Sequence, residues 1–155
     1  MRIHLITVAN RAPSWIEGGF EEYARRLPAC PLHLVEIRPA HRSSSVSPTQ
    51  LREVEGKRIR AAIPSGAWVV ALDEQGQPWS SIELSRQLEK WVQTGRDVAL
   101  LIGGADGLDP RCIAEADQIW SLSSLTLPHT LARVIVAEQI YRAWSLLHHH
   151  PYHRP

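Results

Sequence analysis

The segment VALLIGG, residues 98–104, is the part of the sequence that decides the fold. Its first five residues are all apolar, which is typical of a β-strand buried on both faces. A second run of the same kind, WVVAL, occupies residues 68–72. Strands buried on both faces belong to parallel sheets that carry helices on each side, so the two runs predict an α/β protein.

Helical periodicity and chain-breaking residues around these two runs predict an alternation of strands and helices. Further strands are predicted at residues 2–8 and 32–37, with a short one at 118–122. Helices are predicted at about 13–27, 48–62, 80–95, 110–116 and 131–147. The sequence has no internal repeat and no long linker. We therefore expect one domain, residues 1–155, with a largely parallel sheet and helices on both faces.

Composition excludes several classes of protein. Only two cysteines, Cys30 and Cys112, are present, so neither a disulfide framework nor a cysteine-based zinc site is expected. No apolar run approaches the ~20 residues of a membrane span. The N-terminal apolar stretch is too short for a signal peptide and lacks a cleavage site. These features predict a cytoplasmic protein with no membrane association.

The charge balance argues against a protein that coats nucleic acid nonspecifically. Lys and Arg number 17 and Asp and Glu number 16, a net charge of +1, and nonspecific phosphate binding scales with basic residues. Fifteen of the cations are Arg and only Lys57 and Lys90 are Lys. This bias suits bidentate binding of phosphate or carboxylate, or it reflects only the base composition of the genome. The serine-rich segment 39–48 is predicted to be a mobile loop with two or three positive groups.

Ligands of open parallel sheets bind beyond the carboxyl ends of the strands, here at residues 71–78, 101–107 and 122–129. Gly103 and Gly104 permit close approach of a ligand, or they simply form a turn. They match neither the dinucleotide fingerprint nor a P-loop. Residues 121–128 alternate small hydroxyl side chains with leucine and carry no charge. Such a loop suits a flat aromatic ligand such as adenine, or it is an edge strand followed by a helix start at Pro128.

The last predicted helix is apolar on two sides, so we expect it to be covered by the sheet and by a second subunit. Glu138 on this helix is expected to pair with Arg142, because burial of a carboxylate without a partner is costly. The tail HHHPYHRP, residues 148–155, contains a histidine run. Pro151 breaks the spacing, which disfavours a metal site, whereas Tyr, His and Arg together suit stacking on a base and binding of a phosphate.

The chain as a whole resembles the family of ribosomal RNA large-subunit methyltransferase H, which belongs to the SPOUT class. The motifs that carry the resemblance are LD at 72–73, LIGGxxGL at 101–108, LTLPH at 125–129, AEQxYRA at 137–143 and HPYHR at 150–154. The resemblance implies an α/β-knot fold with a C-terminal trefoil knot, a rare exception to unknotted topology. It also implies a homodimer that uses S-adenosyl-L-methionine to methylate N3 of a pseudouridine in 23S ribosomal RNA on the assembled ribosome.

The resemblance also assigns roles to individual residues. The implied cofactor contacts are Leu72, Gly103, Gly104, Ser123, Ser124, Leu125, Thr126, Leu127 and Pro128. The tail residues Tyr152, His153 and Arg154 would reach the cofactor of the partner subunit, and Glu138 and Arg142 would line that site.

Methyl transfer from a sulfonium needs no metal. His153 is a candidate base, whereas Arg154 or Arg142 would instead stabilise a developing imide anion, the option we favour. Three alternatives remain open: a transfer RNA methyltransferase of the same class, a non-enzymatic ribosome-binding module, and a metal-binding protein that uses the histidine tail.

Overall fold

The computed structural model describes residues 1–154, and its ten elements follow the predicted alternation closely. The elements, in chain order, are β1 (Ile3–Val8), α1 (Ser14–Ala24), β2 (Leu32–Ile37), α2 (Pro48–Ala62), β3 (Trp68–Gln77), α3 (Ser81–Thr94), β4 (Val98–Ile102), α4 (Pro110–Glu115), β5 (Gln118–Trp120) and α5 (His129–Leu147). The strands form one parallel sheet in the order β2-β1-β4-β3-β5. The predicted α/β class with a largely parallel sheet is therefore confirmed.

The central strand β4 is buried along its whole length, as its apolar sequence predicts. Leu100 aligns with Leu5 of β1 on one side and with Val70 of β3 on the other. One face of the sheet packs against α1, α3 and α5. The other face packs against α2 and α4 through residues such as Ile59 and Cys112. Helices thus cover both faces, which explains why no polar residue interrupts β4.

Strand β3 is longer than its apolar run predicts, because it continues through residues 73–77 to Gln77. This polar continuation is held by backbone pairing: Gln77 aligns with Trp120 of β5, and its carbonyl accepts a 2.9 Å hydrogen bond from the Ser121 amide. A Cβ at Gly76 would lie 2.7 Å from the Ile119 backbone, so only glycine permits this approach. Side-chain hydropathy carries no signal for a strand stabilised in this way.

Helix α5 lies between α1 and α3 and above the sheet. Its second apolar side packs against helices of the same chain, so the apolarity of α5 does not by itself require a second subunit, and the homodimer stays a prediction. A stripe of half-buried residues remains on its outer side: Leu131, Val134, Ile135 and Glu138. The helix begins at His129, two residues earlier than predicted.

The segment predicted as a mobile loop is anchored at its start. The Ala40 amide donates a 3.1 Å hydrogen bond to Glu55 Oε2 on α2. Arg58 Nη1 donates to the carbonyl oxygens of Arg38, at 2.7 Å, and Pro39, at 3.1 Å. A capping box at Ser47 begins α2. None of the helices within residues 1–154 is long and apolar enough to cross a membrane.

Candidate active site

A cleft of about 720 Å³ opens at the carboxyl edge of the sheet, a size typical of small-molecule sites. It is formed by residues 72–75 in the second half of β3 and by the segments that follow β4 and β5. These are the three regions at which the sequence predicts a ligand. Eight of the nine predicted cofactor contacts line it: Leu72, Gly103, Gly104, Ser123, Leu125, Thr126, Leu127 and Pro128. The ninth, Ser124, is exposed and does not line the cleft.

Glycine is required at position 103 by the way the loop folds back on itself. A Cβ at Gly103 would lie 2.4 Å from the carbonyl carbon of Gly107 and 2.5 Å from the Leu108 nitrogen. The loop is closed by a 3.0 Å hydrogen bond from the Gly107 amide to the Gly104 carbonyl, and Gly107 has a φ of 84°. At Gly104 a Cβ would approach Val8 Cγ1 at 3.1 Å, so a larger residue there presses on β1. Both glycines therefore shape the cleft wall.

The uncharged loop after β5 is ordered by its own hydroxyl groups. Ser121 is buried and donates through Oγ to the Ser123 carbonyl, 3.2 Å away. Ser123 Oγ in turn accepts a 2.9 Å hydrogen bond from the Leu125 amide. Leu125 is 73% exposed although it is a large apolar residue. An apolar side chain held at the mouth of a cleft is suited to cover a ligand.

The ionisable groups of the cleft were not predicted as site residues. Asp73 and Glu74 line it directly after Leu72, and His129 lines it at the first position of α5. The signal that points to them is position, since all three lie in residues 71–78 and 122–129, two of the segments at which the sequence predicts a ligand. Asp73 Oδ1 accepts a 2.9 Å hydrogen bond from the Gln75 amide. The carboxylates of Asp73 and Glu74 give one side of the cleft a negative charge.

The imidazole of His129 lies near a buried arginine. Burial lowers the pKa of His129, the charge of Arg133 lowers it further, and Glu55 opposes the shift. Arg133 is fully buried and its Nη1 lies 3.4 Å from Glu36 Oε2, while its Nε and Nη2 have no partner within residues 1–154. His129 is therefore held neutral near pH 7.

The tail residues form a second cluster around Glu138. Arg142 Nε donates to Glu138 Oε1 at 2.9 Å, which confirms the predicted pair, and the Tyr152 hydroxyl donates to the same oxygen at 2.9 Å. The Arg142 guanidinium lies 5.0 Å from the centre of the Tyr152 ring. The hydrogen bond to Glu138 raises the pKa of Arg142, and burial followed by the bond to Glu138 raises the pKa of Tyr152. His153 Nδ1 is buried without a partner in the described chain, and Arg154 is exposed.

The two clusters are separated within one chain. None of the five predicted catalytic residues, Glu138, Arg142, Tyr152, His153 and Arg154, lines the cleft. Glu138 lies nine residues after His129 on α5, which is about 14 Å along the helix axis. A single chain therefore brings the cofactor residues together and brings the tail residues together, but at two different places.

The histidine run packs against aromatic side chains. The ring of His148 stacks on Trp144 with centroids 4.6 Å apart, and His150 packs near Tyr141 and Trp144. Within residues 1–154 no group of three or more His, Cys, Asp or Glu side chains is placed to hold a metal ion.

The architecture is the one expected from the sequence motifs: a parallel sheet with a glycine loop and an uncharged loop at its carboxyl edge. Comparison with known proteins identifies the class of protein. A family model described as "Predicted SPOUT methyltransferase" matches residues 1–153. The chain belongs to this family of methyltransferases.

Comparison with individual relatives identifies the protein more narrowly than the family model does. Over 155 residues the chain is 57% identical to ribosomal RNA large subunit methyltransferase H of Nitrosococcus oceani, with 99% of each chain covered. It is 55% identical, with the same coverage, to the protein of that name from Thioalkalivibrio sulfidiphilus. The resemblance drawn from the motifs is thus confirmed. The fold is shared with a probable methyltransferase from Bordetella pertussis at a TM-score of 0.55 and 16% identity, over 91% of this chain and 95% of that one.

Proposed function

We propose that the protein transfers a methyl group from S-adenosyl-L-methionine to N3 of a pseudouridine in 23S ribosomal RNA on the assembled ribosome. The observation that carries this proposal is the cleft lined by Leu72, the glycine loop and the uncharged loop. It lies in a chain that is 57% identical to a ribosomal RNA large subunit methyltransferase H. Such an enzyme works in the cytoplasm, and we expect residues 1–155 to act as one unit.

The cleft fits S-adenosyl-L-methionine in size, shape and charge. The leucine side chains and backbone groups of residues 122–127 suit an adenine ring. The carboxylates of Asp73 and Glu74 complement the positive charge of a sulfonium and an ammonium group. When bound, this cofactor supplies an electrophilic methyl group. The fold of the loop at Gly103 leaves backbone rather than side chain at the cleft wall, which lets a ligand approach closely.

A homodimer would complete the active site by bringing the tail of one chain to the cleft of the other. Two observations support this arrangement. The first is the separation of about 14 Å along α5 between the cleft and Glu138 in one chain. The second is the apolar surface beside the outer stripe of α5. Gly19 of α1 approaches Val134 closely, and Trp15, one turn earlier on α1, is 65% exposed. Together these residues form an apolar face suited to a second copy.

The tail cluster is built to hold a fixed positive charge next to a phenol. Arg142 and Tyr152 both donate to Glu138 Oε1, so their side chains have defined orientations. The raised pKa of Tyr152 keeps its hydroxyl protonated and hence a donor. Removal of the N3 proton leaves an imide anion on the base. Donors from Arg142 and Arg154 would stabilise that anion, and His153 is the second candidate, as a base that takes the proton.

We also propose that the C-terminal part of the chain is knotted, as in the SPOUT family that its sequence matches. The support is local: the second half of β3 and the segments that follow β4 and β5 meet at one cleft, and α5 begins directly after the last of them. The knot would then hold the backbone of the cofactor and tail residues in a fixed arrangement.

Labelling of ribosomes tests the proposed reaction. The protein is incubated with S-adenosyl-L-methionine carrying a labelled methyl group and with ribosomes that lack this modification, and the label is mapped by mass spectrometry of nuclease fragments. We expect label on N3 of one pseudouridine in 23S ribosomal RNA. Label on transfer RNA alone would favour the transfer RNA enzyme, and ribosome binding without label or cofactor affinity would favour the binding module.

A further inference from the structure

Positive charge is concentrated in one segment of this nearly neutral chain. Residues 38–60 contain six Arg or Lys and two Glu, a net charge of +4, so the rest of the chain carries −3. The net charge of +1 therefore conceals a strongly basic region. That region comprises the loop that follows β2 and most of α2.

Five cations of this segment make up what we call the basic strip: Arg38, Arg42, Arg52, Lys57 and Arg58. Four of the five are exposed and Arg52 is half-buried. Helix α2 packs on the sheet face opposite to α5. The basic strip is consequently separate from the apolar face proposed for the homodimer.

The basic strip rests on an ordered backbone. Arg58 Nη1 donates to the carbonyls of Arg38 and Pro39, which joins α2 to the loop that follows β2. The amide of Ala40 is bonded to the buried Glu55. A fixed array of cations loses less conformational entropy on binding than a flexible tail does.

The basic strip also reaches the rim of the cleft. Arg42 forms an ion pair with Asp106, and Arg52 Nη1 donates to the Asp106 carbonyl at 3.3 Å. The neighbours of Asp106, Ala105 and Gly107, both line the cleft. A nucleotide whose base enters the cleft would therefore place its adjoining backbone within reach of these cations.

We propose that the basic strip binds phosphate groups of the RNA strand that flanks the methylated nucleotide. This inference rests on the proposed function, in that the substrate is RNA. Arg38 and Lys57 are the residues to test, because within residues 1–154 their side chains make no hydrogen bond or ion pair and are available to a phosphate. Arg42, Arg52 and Arg58 partly serve to hold the strip in place.

The test compares two double charge reversals in the full-length protein. The strip variant is Arg38→Glu with Lys57→Glu. The matched control, Arg86→Glu with Lys90→Glu, makes the same change in charge at two exposed positions of α3. Affinity for ribosomes is measured over a range of salt concentrations. Thermal unfolding and cofactor affinity are measured as well, to establish that both variants are folded.

We expect the strip variant to bind ribosomes about tenfold or more weakly, with the slope of log affinity against log salt reduced by about 1.5, for two lost phosphate contacts. The control keeps the wild-type affinity and slope. Wild-type affinity and slope in the strip variant, or an equal loss in both variants, would overturn the proposal. A weaker affinity with an unchanged slope would assign the strip to a protein partner and would also overturn it. Ribosomes that bind wild-type protein but acquire no methyl group would contradict the proposed function instead.

Discussion

Replacement of Gly103 by alanine should weaken cofactor binding by distorting the cleft wall. The added Cβ would lie 2.4 Å from the Gly107 carbonyl carbon, whereas carbon atoms in contact are about 3.5 Å apart. The loop must therefore move by about 1 Å, and overpacking of this kind costs about 1–3 kcal/mol. For a chain of this size that lowers the Tm by about 2–12 °C. A shift of about 1 Å at the cleft should weaken cofactor binding by about tenfold or more.

Calorimetric titration with S-adenosyl-L-methionine and thermal unfolding measure the two effects. The matched control is Gly18→Ala, because an added Cβ at Gly18 in α1 meets nothing within 4 Å. Alanine is favoured over glycine in a helix by about 1 kcal/mol, so this control should raise the Tm by about 2–4 °C and leave cofactor affinity unchanged. Wild-type affinity and Tm in Gly103→Ala would refute the reasoning about the loop.

Four further predictions concern the dimer, the tail and the histidines. Val134→Arg places a charge on the outer stripe of α5 and should convert a dimer into an inactive monomer by light scattering; an active monomer would contradict the shared site. Tyr152→Phe removes the 2.9 Å bond to Glu138 and should cost about 1–2 kcal/mol of unfolding free energy. Because the pKa of Tyr152 is raised, wild-type stability should fall above pH ~10 more steeply than that of the variant. The pKa of His129 is lowered, so the free energy of unfolding should fall as the pH drops below about 6.5. Chemical denaturation of His129→Gln should show a smaller decline over the same pH range. Parallel pH curves for the variant and the wild type would exclude this role of His129. His153→Ala should keep the wild-type pH dependence of turnover if anion stabilisation dominates, whereas activity restored only at high pH would identify His153 as the base.

Sequence patterns predicted those parts of the fold that depend on side-chain burial. The apolar run of β4 and the spacing of Leu84 and Leu88 in α3 report directly on contact with the core. The extension of β3 to Gln77 was missed because a backbone pair with Trp120 holds it. The covering of α5 by α1 and α3 was missed because periodicity shows that a face is buried but not what buries it.

The candidate site was predictable where it follows from topology. Parallel strands bring their carboxyl ends to one edge, so Leu72, Gly103 and Ser123 were expected to meet. The ion pair of Glu138 and Arg142 followed from helical spacing. The neutral state of His129 depends on Arg133 and Glu55, which converge only after folding. Likewise, the concentration of charge into a strip beside the cleft appears only when the loop at Ala40 is anchored on α2.

The central claim is that the cleft of one chain is completed by the tail of another, and subunit complementation tests it most directly. Gly103→Ala damages the cleft and Arg154→Ala damages the tail, so at a limiting cofactor concentration each variant alone should have about a tenth of the wild-type activity or less. When the two are refolded together, half of the dimers are mixed and each mixed dimer has one intact site. Methylation of ribosomes should therefore recover to about one quarter of the wild-type rate. Absence of any recovery, with mixed dimers present by mass spectrometry, would contradict the shared site.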